Sequence, residues 1–202
     1  MLIRPATPAD FARINQIYAQ ARDFMVRAGN PTQWAGGYPQ QAMLDDDVAR
    51  GNLYVCVSEP ADLSLPGAEG AAAPSSPADE SAVAPSSPGD EIPAGGRIDA
   101  VFYFAVEEDA TYARIDDGAW LNDEPYGVVH RIAVAQGTRG LGTHCILWAL
   151  DRARQLGAGG GLRIDTHAQN APMHGLLAKL GFTTCGTIYT YDGSPRTAYQ
   201  HL

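Results

Sequence analysis

The chain has 202 residues, of which 45% are hydrophobic and 18% charged, and its formal net charge is −9. This length suggests one domain or at most two, and the apolar content is sufficient for a real core. Residues 59–96 hold seven acids and no Lys or Arg, which leaves 16 acids against 14 bases elsewhere. The remaining chain is nearly neutral and lacks the basic face that nucleic-acid binding requires.

The cysteines and the N-terminus predict a compartment. Cys56, Cys145 and Cys185 lie far apart and form no CxxC or Cys/His spacing, so we expect no metal site. Free thiols fit a reducing cytoplasm. The first residues lack an apolar signal core, and no run of about 18 apolar residues occurs. We therefore expect a soluble, cytoplasmic protein that does not bind a membrane.

The first predicted elements are a strand at 2–5 and a helix that starts in the segment Thr7-Pro8-Ala9-Asp10 and continues to about residue 28. A threonine cap, a proline in the first turn and an acid at the positive helix end favour that start. A short helix at 40–50 and a strand at 53–57 follow.

Trp34 and Tyr38 flank two glycines between these helices. Large aromatic side chains beside flexible glycines are typical of a loop that faces a substrate. The same two rings could instead cover the edge of the core, and the sequence leaves both interpretations open.

Residues 59–97 differ in kind from the rest of the chain. The tract is dominated by Ala, Pro, Ser, Gly and acids, and the segment at 73–80 recurs almost unchanged at 84–91. Such a tract has too few large apolar groups to offset the entropy of ordering it. We therefore predict a disordered, low-complexity hairpin insert within a single domain spanning 1–202, with an inert spacer as its simplest role.

The second half resumes with strands and helices in alternation. Apolar patterning predicts strands at 98–106, 128–134 and 162–167, helices at 141–157 and 171–180, and a hairpin of strands at 183–190 and 196–201. A polar and aromatic connection occupies 107–127. The closing hairpin could also pair with a second copy, so a homodimer stays open.

A glycine-rich turn, Gly137-Thr138-Arg139-Gly140-Leu141-Gly142, joins the strand at 128–134 to the next helix. Glycines let the backbone approach a ligand closely. The unpaired N–H groups at the start of the helix, together with its dipole, form an anion site suited to a pyrophosphate. The turn lacks the Lys-Ser/Thr of a P-loop.

The order of elements and two motifs resemble the GCN5-related N-acetyltransferase (GNAT) superfamily. Arg139-Gly140-Leu141-Gly142 matches the end of that family's Gln/Arg-x-x-Gly-x-Gly/Ala motif, and Asn170 followed by 176–182 (LLAKLGF) resembles its N…LYxKxGF segment. The resemblance covers nearly the whole chain except 59–97. It implies an α/β (α+β) fold with a mixed, mostly antiparallel twisted sheet flanked by helices.

The resemblance also implies roles for individual residues. The backbone around Ile132 and Val134 would pair with the pantetheine arm of acetyl-CoA, and an amide on this strand would polarise the thioester carbonyl. Asn170 would bind near the pantetheine or the attacking amine. The pyrophosphate would be held by the backbone of six residues: Gly137, Thr138, Arg139, Gly140, Leu141 and Gly142.

Two positions depart from the family pattern. Gly137 stands where the family usually has Gln or Arg, which removes a side-chain contact but keeps the backbone cradle. Leu177 stands where many relatives have a tyrosine that protonates the leaving thiolate. In this chain the leaving thiolate must therefore be protonated by another acid or by water, or leave without being protonated.

Amine acylation needs the amine to lose a proton near the thioester carbonyl, and a base whose pKa lies near working pH would help. His130 is the preferred candidate, because histidine titrates in the useful range and strand alternation would place it with Val128, Ile132 and Val134. A structural histidine is the competing interpretation. Asp165 and His167 on the next strand are further candidates, and Glu107 and Glu108 are weaker ones. Cys145, in the first turn of a helix, is expected in the core.

These observations favour an N-acetyltransferase whose acceptor is a small-molecule amine or a peptide. Trp34 and Tyr38, with Trp120 and Tyr126, could form an aromatic-walled acceptor pocket. A non-catalytic acyl-CoA-binding module is the alternative, suggested by Leu177. A nucleotide-phosphate binder of another class is a third interpretation.

Overall fold

Seven strands and four α-helices form the part of the chain that a computed structural model describes, residues 1–58 and 96–202. The strands are β1 (Leu2–Pro5), β2 (Leu53–Ser58), β3 (Arg97–Val106), β4 (Gly127–Val134), β5 (Leu162–Thr166), β6 (Thr183–Tyr189) and β7 (Pro195–His201). The helices are α1 (Phe11–Arg27), α2 (Gln41–Ala49), α3 (Leu141–Gln155) and α4 (Ala171–Lys179). Every predicted element outside 59–97 is confirmed.

The strands form one sheet in the order β1-β2-β3-β4-β5-β7-β6. All neighbours are antiparallel except β4 and β5, which are parallel. The predicted mixed, mostly antiparallel sheet is thus confirmed, and its single parallel pair lies at the centre.

The predicted insert lies almost wholly outside the described residues, which omit 59–95. Strands β2 and β3 are antiparallel neighbours, with Ser58 opposite Arg97. The expectation that strands flank the tract on both sides is confirmed, and Arg97 belongs to β3.

Helices cover both faces of the sheet. On one face, α3 and α4 contribute Cys145, Ile146 and Leu177 to a buried cluster that includes Phe102 and Phe104 of β3. On the other face, Ile14 and Tyr18 of α1 and Leu44 of α2 pack on Val55 and Val101. The burial of apolar side chains against both faces is the main source of stability for such a layered fold.

Candidate functional site

Strands β4 and β5 part from each other shortly after they begin. They pair only through Gly127 with Leu162 and Val128 with Arg163, although β4 continues to Val134 and β5 to Thr166. The remaining edge of β4 that faces β5 therefore presents backbone groups without a strand partner in the described chain. An open strand edge is a template for an extended ligand.

A cavity of about 470 Å³ opens beside this edge. Ile132 and Val134 of β4 line it, as do the glycine turn and the N-terminal part of α4. The opposite wall comes from α1, through Ala21, Phe24 and Met25. The side chain of Phe24 is 50% exposed, so a ligand in the cavity would cover apolar surface.

The glycine-rich turn has an open, left-handed backbone. Gly137 has φ +86° and Gly140, the N-cap of α3, has φ +76°, and a Cβ added at either would meet no atom within 4 Å. Thr138 closes the turn by donating to the carbonyl of Ala135 at 2.6 Å. Arg139 is exposed, whereas Leu141 is buried. This free space above the first amides of α3 suits an anion.

Asn170 lies at the other side of the cavity as the N-cap of α4. Its Oδ1 accepts the amide of Met173 at 3.3 Å, and its Nδ2 donates to Gln33 Oε1 at 3.1 Å. Gln33 belongs to the loop between α1 and α2, so this loop reaches across the gap between β4 and β5. Asn170 lines the cavity as predicted, while both ends of its amide already have protein partners.

A β-bulge in β4 corrects the strand alternation predicted for His130. Tyr103 pairs with His130 and Val101 with Ala133, so β4 contains one residue more than β3 over this stretch. Arg131 occupies the bulge with φ +52°. Ile132 therefore packs with Val129 on the α3 face, whereas His130 lies on the opposite face. The predicted shared parity of His130 and Ile132 is wrong, because the extra residue reverses the alternation.

His130 is held between two carboxylates on that opposite face. Its Nε2 lies 2.7 Å from Asp109 Oδ2, and its Nδ1 lies 3.6 Å from Asp165 Oδ1. Tyr112 donates its hydroxyl to the same Asp165 oxygen at 2.8 Å. Because Asp165 belongs to β5, these contacts bridge the gap where the two strands part.

The hydrogen bonds of His130 define which of its two ring nitrogens can accept a proton. Burial alone would raise the pKa of Asp109, but the hydrogen bonds from His130 and Thr111 outweigh it and hold the pKa at about 2. Asp109 is thus an acceptor near neutral pH, and Nε2 of His130 donates to it. In a neutral imidazole the other nitrogen, Nδ1, then carries the lone pair. That lone pair faces Asp165, which also accepts hydrogen bonds.

We expect the lowered pKa of Asp109 to stabilise the fold only above acid pH. The contribution should be complete above about pH 4, the unfolded pKa, and should disappear as the pH falls through about 2. A shift of this size corresponds to roughly 2 kcal/mol. Urea unfolding of Asp109→Asn and wild type should show that difference at pH 7 and a shrinking one below pH 4; a difference independent of pH would contradict the assignment.

The four predicted aromatic residues fall into two separate buried clusters. Trp34 is 8% exposed and packs on Tyr18 at 5.6 Å between ring centroids, and Tyr38 contacts Trp34 at 6.5 Å. Trp120 and Tyr126 instead contact Tyr112, and Arg163 lies over both rings at 4.2 and 3.8 Å. Trp34 is mainly core, while Trp120 and Tyr126 support Tyr112.

The weaker catalytic candidates have other partners. Glu107 accepts the hydroxyl of Tyr103 at 2.7 Å, and Glu108 is exposed. His167 contacts Thr32 at 3.5 Å. Cys145 is fully buried, as expected. Leu177 is also fully buried in the apolar cluster beneath α4.

Sequence reasoning missed Asp109, Tyr112 and Asp47. The first two lie in the connection between β3 and β4, where Asp109 caps a short 3-10 helix by accepting the amide of Thr111. An Asp two residues before Thr is a recognisable turn signal, but it does not reveal that His130 is the partner. Asp47 of α2 bonds to Arg131 Nη2 at 2.7 Å.

Residues 1–58 and 96–202 contain neither a candidate membrane-spanning helix nor a candidate metal-binding group. No helix there has the length and apolar character needed to span a membrane. No group of three or more His, Cys, Asp or Glu side chains in that part is arranged to hold a metal ion.

Comparison with known proteins identifies similar chains. A model of the family described as "Acetyltransferase (GNAT) family" matches residues 80–182. A GNAT-family acetyltransferase of Streptococcus agalactiae 2603 aligns with a TM-score of 0.69 at 24% identity, over 100% of this chain and 94% of that one. One from Listeria monocytogenes 4b F2365 gives 0.62 at 16% identity, over 99% and 93%.

A eukaryotic structure shares the fold as well. NAA60 of Arabidopsis thaliana, in complex with acetyl-CoA, aligns with a TM-score of 0.56 at 12% identity, over 99% of this chain and 97% of that one. No curated protein matches the sequence.

Proposed function

The chain belongs to the acetyltransferase (GNAT) family, and we propose that it moves an acetyl group from acetyl-CoA to a primary amine of a small molecule or peptide. The amine attacks directly while both substrates are bound. The observation that carries this proposal is His130, whose Nδ1 faces Asp165 across the gap between β4 and β5. A similar structure, NAA60, is in complex with acetyl-CoA.

The donor side of the gap fits acetyl-CoA. The free edge of β4 at Ile132 and Val134 would pair with the pantetheine arm, and the amides from Gly137 to Gly142 would hold the pyrophosphate. The open space at Gly137 and Gly140 supports this fit. Asn170 would contribute the wall of the cavity. Bound there, acetyl-CoA supplies the thioester carbonyl, and an amide of β4 would stabilise negative charge on its oxygen.

The acceptor side of the gap holds the proton-transfer groups. His130 Nδ1 takes a proton from the amine, and Asp109 stabilises the imidazolium through Nε2 at 2.7 Å. Asp165 holds the ammonium before it loses that proton. Binding both substrates in one gap supplies much of the rate through proximity.

The leaving thiolate has no tyrosine at position 177, because Leu177 is fully buried among apolar groups. A thiol pKa near 8.5 makes the thiolate a tolerable leaving group close to neutral pH. Protonation by water is therefore sufficient for turnover in this proposal.

Release of free thiol tests the proposal. Protein, acetyl-CoA and each member of a broad amine panel are mixed, and thiol is measured together with the mass of the acetylated product. We expect thiol and product in equal amounts. If acetyl-CoA binds and no amine reacts, the buried Leu177 instead favours the alternative function, a non-catalytic acyl-CoA-binding module.

We expect Gly142→Val to weaken acetyl-CoA binding about tenfold or more, because the branched side chain would crowd the cavity that Gly142 and Leu176 line beside the glycine turn. Gly142 lines the cavity, and an added Cβ would already lie 3.2 Å from Leu176 Cδ2. Calorimetric titration with acetyl-CoA measures the change. Gly175→Ala is the control, since a Cβ there meets nothing within 4 Å. Equal affinity of the two variants would contradict the cradle.

A further inference from the structure

Asp165 has an oxygen that the protein leaves open. Its Oδ1 accepts the hydroxyl of Tyr112 and lies 3.6 Å from His130 Nδ1. Its Oδ2 has no hydrogen-bond partner among residues 1–58 and 96–202, and the side chain is 14% exposed. Asp109, in contrast, uses both oxygens, with His130 on one and Thr111 on the other. Asp165 can thus accept an ammonium without losing an existing bond.

Arg196 lies one strand away on the same face of the sheet. Asp165 pairs with Ala198 of β7, and Arg196 precedes Ala198 by two residues. Side chains two apart on a strand share a face, and the diagonal neighbour across two strands is about 7–8 Å away. The pairing of Arg196 with the buried Ile188 confirms that face, since Ile188 and Ala198 belong to one cluster.

The guanidinium of Arg196 forms no close ion pair within the described chain, although its positive charge contributes to the lowered pKa of Asp192. Its Nη1 donates to the carbonyl of Pro195 at 3.0 Å, and no carboxylate of residues 1–58 or 96–202 lies within 4 Å. Asp192, in the preceding turn, instead accepts from Thr190 at 2.6 Å and from the amide of Ser194 at 3.0 Å.

His167, which neighbours Arg196, does not neutralise the guanidinium and does not compete with it for an anion. His167 Nδ1 accepts the amide of Gln169 at 3.2 Å, so this nitrogen carries a lone pair. Burial, and next the positive charge of Arg196, lower the pKa of His167. Because the lowered pKa favours the neutral form of His167, the guanidinium of Arg196 is the group at this place that attracts an anion.

The other arginines near this face are already engaged. Arg131 bonds to Asp47 at 2.7 Å. Arg163 is 4% exposed, stacks on Tyr126 and donates to the carbonyl of Asn122 at 2.6 Å. Arg196 is only partly buried and makes no such ion pair or stacking contact within the described residues.

We propose that the acceptor is a small α- or β-amino acid, whose ammonium binds Asp165 and His130 and whose carboxylate binds Arg196. This inference rests on the proposed acetyl transfer at the same site. Asp165, with an open carboxylate oxygen, and Arg196, with no carboxylate within 4 Å in the described chain, occupy diagonal positions on adjacent strands, which suits a ligand that carries both charges within a few bonds. A guanidinium binds a carboxylate through two parallel hydrogen bonds, which gives direction as well as attraction. A peptide N-terminus lacks the adjacent carboxylate.

Matched pairs of amines test the inference. Alanine and ethylamine, phenylalanine and phenethylamine, and β-alanine and ethylamine each differ by one carboxylate. For each compound we would measure kcat/KM and, separately, binding to the protein saturated with CoA by calorimetry. We expect the amino acid to exceed its partner by about ten- to a hundredfold, the usual range for a hydrogen-bonded charge pair. The binding measurement decides the inference even if no amine is acetylated, a result that would overturn only the proposed function.

Two variants assign the preference to Arg196. In Arg196→Gln the ratio within each pair should fall to about one, since the carboxylate contact is lost. Arg154→Gln removes the same charge from an exposed arginine that bonds the carbonyl of Leu202, and it should keep the wild-type ratio. Simple amines that bind as well as amino acids, or a ratio unchanged in Arg196→Gln, would overturn the inference.

Discussion

Replacing His130 with glutamine should lower kcat by about 10²- to 10³-fold, the usual contribution of a general base, and leave the KM for acetyl-CoA almost unchanged. The reason is geometric, because Nδ1 of His130 faces the acceptor side while the donor cavity lies along Ile132 and Val134 on the opposite face. Glutamine keeps the size and polarity of the side chain but cannot take a proton. Steady-state kinetics with the best acceptor, from pH 5 to 9, would measure the loss.

The pH profile separates a base from a structural histidine. Any acid limb of kcat/KM in the wild type should be absent in His130→Gln, because glutamine cannot take a proton. His201→Gln is the control, since His201 contacts Leu202 and Phe182 at the end of β7. If His130→Gln retained more than about half of kcat, or kept the acid limb, His130 would not be the base.

Removing Asp47 should destabilise the protein by about 3–5 kcal/mol, because the substitution leaves a buried guanidinium without its partner. The side chains of Asp47 and Arg131 are 7% and 11% exposed and meet at 2.7 Å. Arg131 also carries the positive φ of the β4 bulge, and Tyr18 donates to its carbonyl at 3.0 Å. We expect the loss in the free energy of unfolding of Asp47→Ala, measured in urea.

The adjacent residue provides a matched control for this ion pair. Asp46 bonds to Arg50 at 3.0 Å, but both side chains are more than half exposed, at 55% and 62%. Asp46→Ala should therefore cost less than about 1 kcal/mol. The double variant Asp47→Ala/Arg131→Met should recover part of the loss, since no buried charge remains. Similar costs for Asp46→Ala and Asp47→Ala would show that the pair does not hold the bulge.

The donor side of the site was predictable because it consists of neighbours in the chain. The strand that ends at Val134, the turn from Gly137 to Gly142 and the start of α3 form one continuous segment. Glycines and a following apolar helical period predict its shape locally. The structure gives Gly137 and Gly140 a left-handed backbone, and the binding of acetyl-CoA by these residues stays a prediction.

The acceptor side was only partly predictable, because it joins residues distant in sequence. His130 and Asp165 were recognised by residue type, but Asp109, Tyr112 and Arg196 were not. The sequence near residue 131 does not predict the bulge. The residue with positive φ is an arginine, whereas glycine or asparagine is the usual signal of such a backbone. The prediction that His130 shares a strand face with Ile132 was wrong for that reason.

Periodicity, caps and turn residues in the sequence were enough to identify the strands and helices, their order and the glycine cradle, since each depends on contacts within a few residues. Pairing between distant strands determined the rest. The register of β3 against β4 created the bulge and turned His130 to the face opposite Ile132, and the register of β5 against β7 placed Arg196 diagonal to Asp165. A shift of one residue reverses every side chain in a strand, so the grouping of His130 with Asp109 and Asp165 became visible only in the folded sheet.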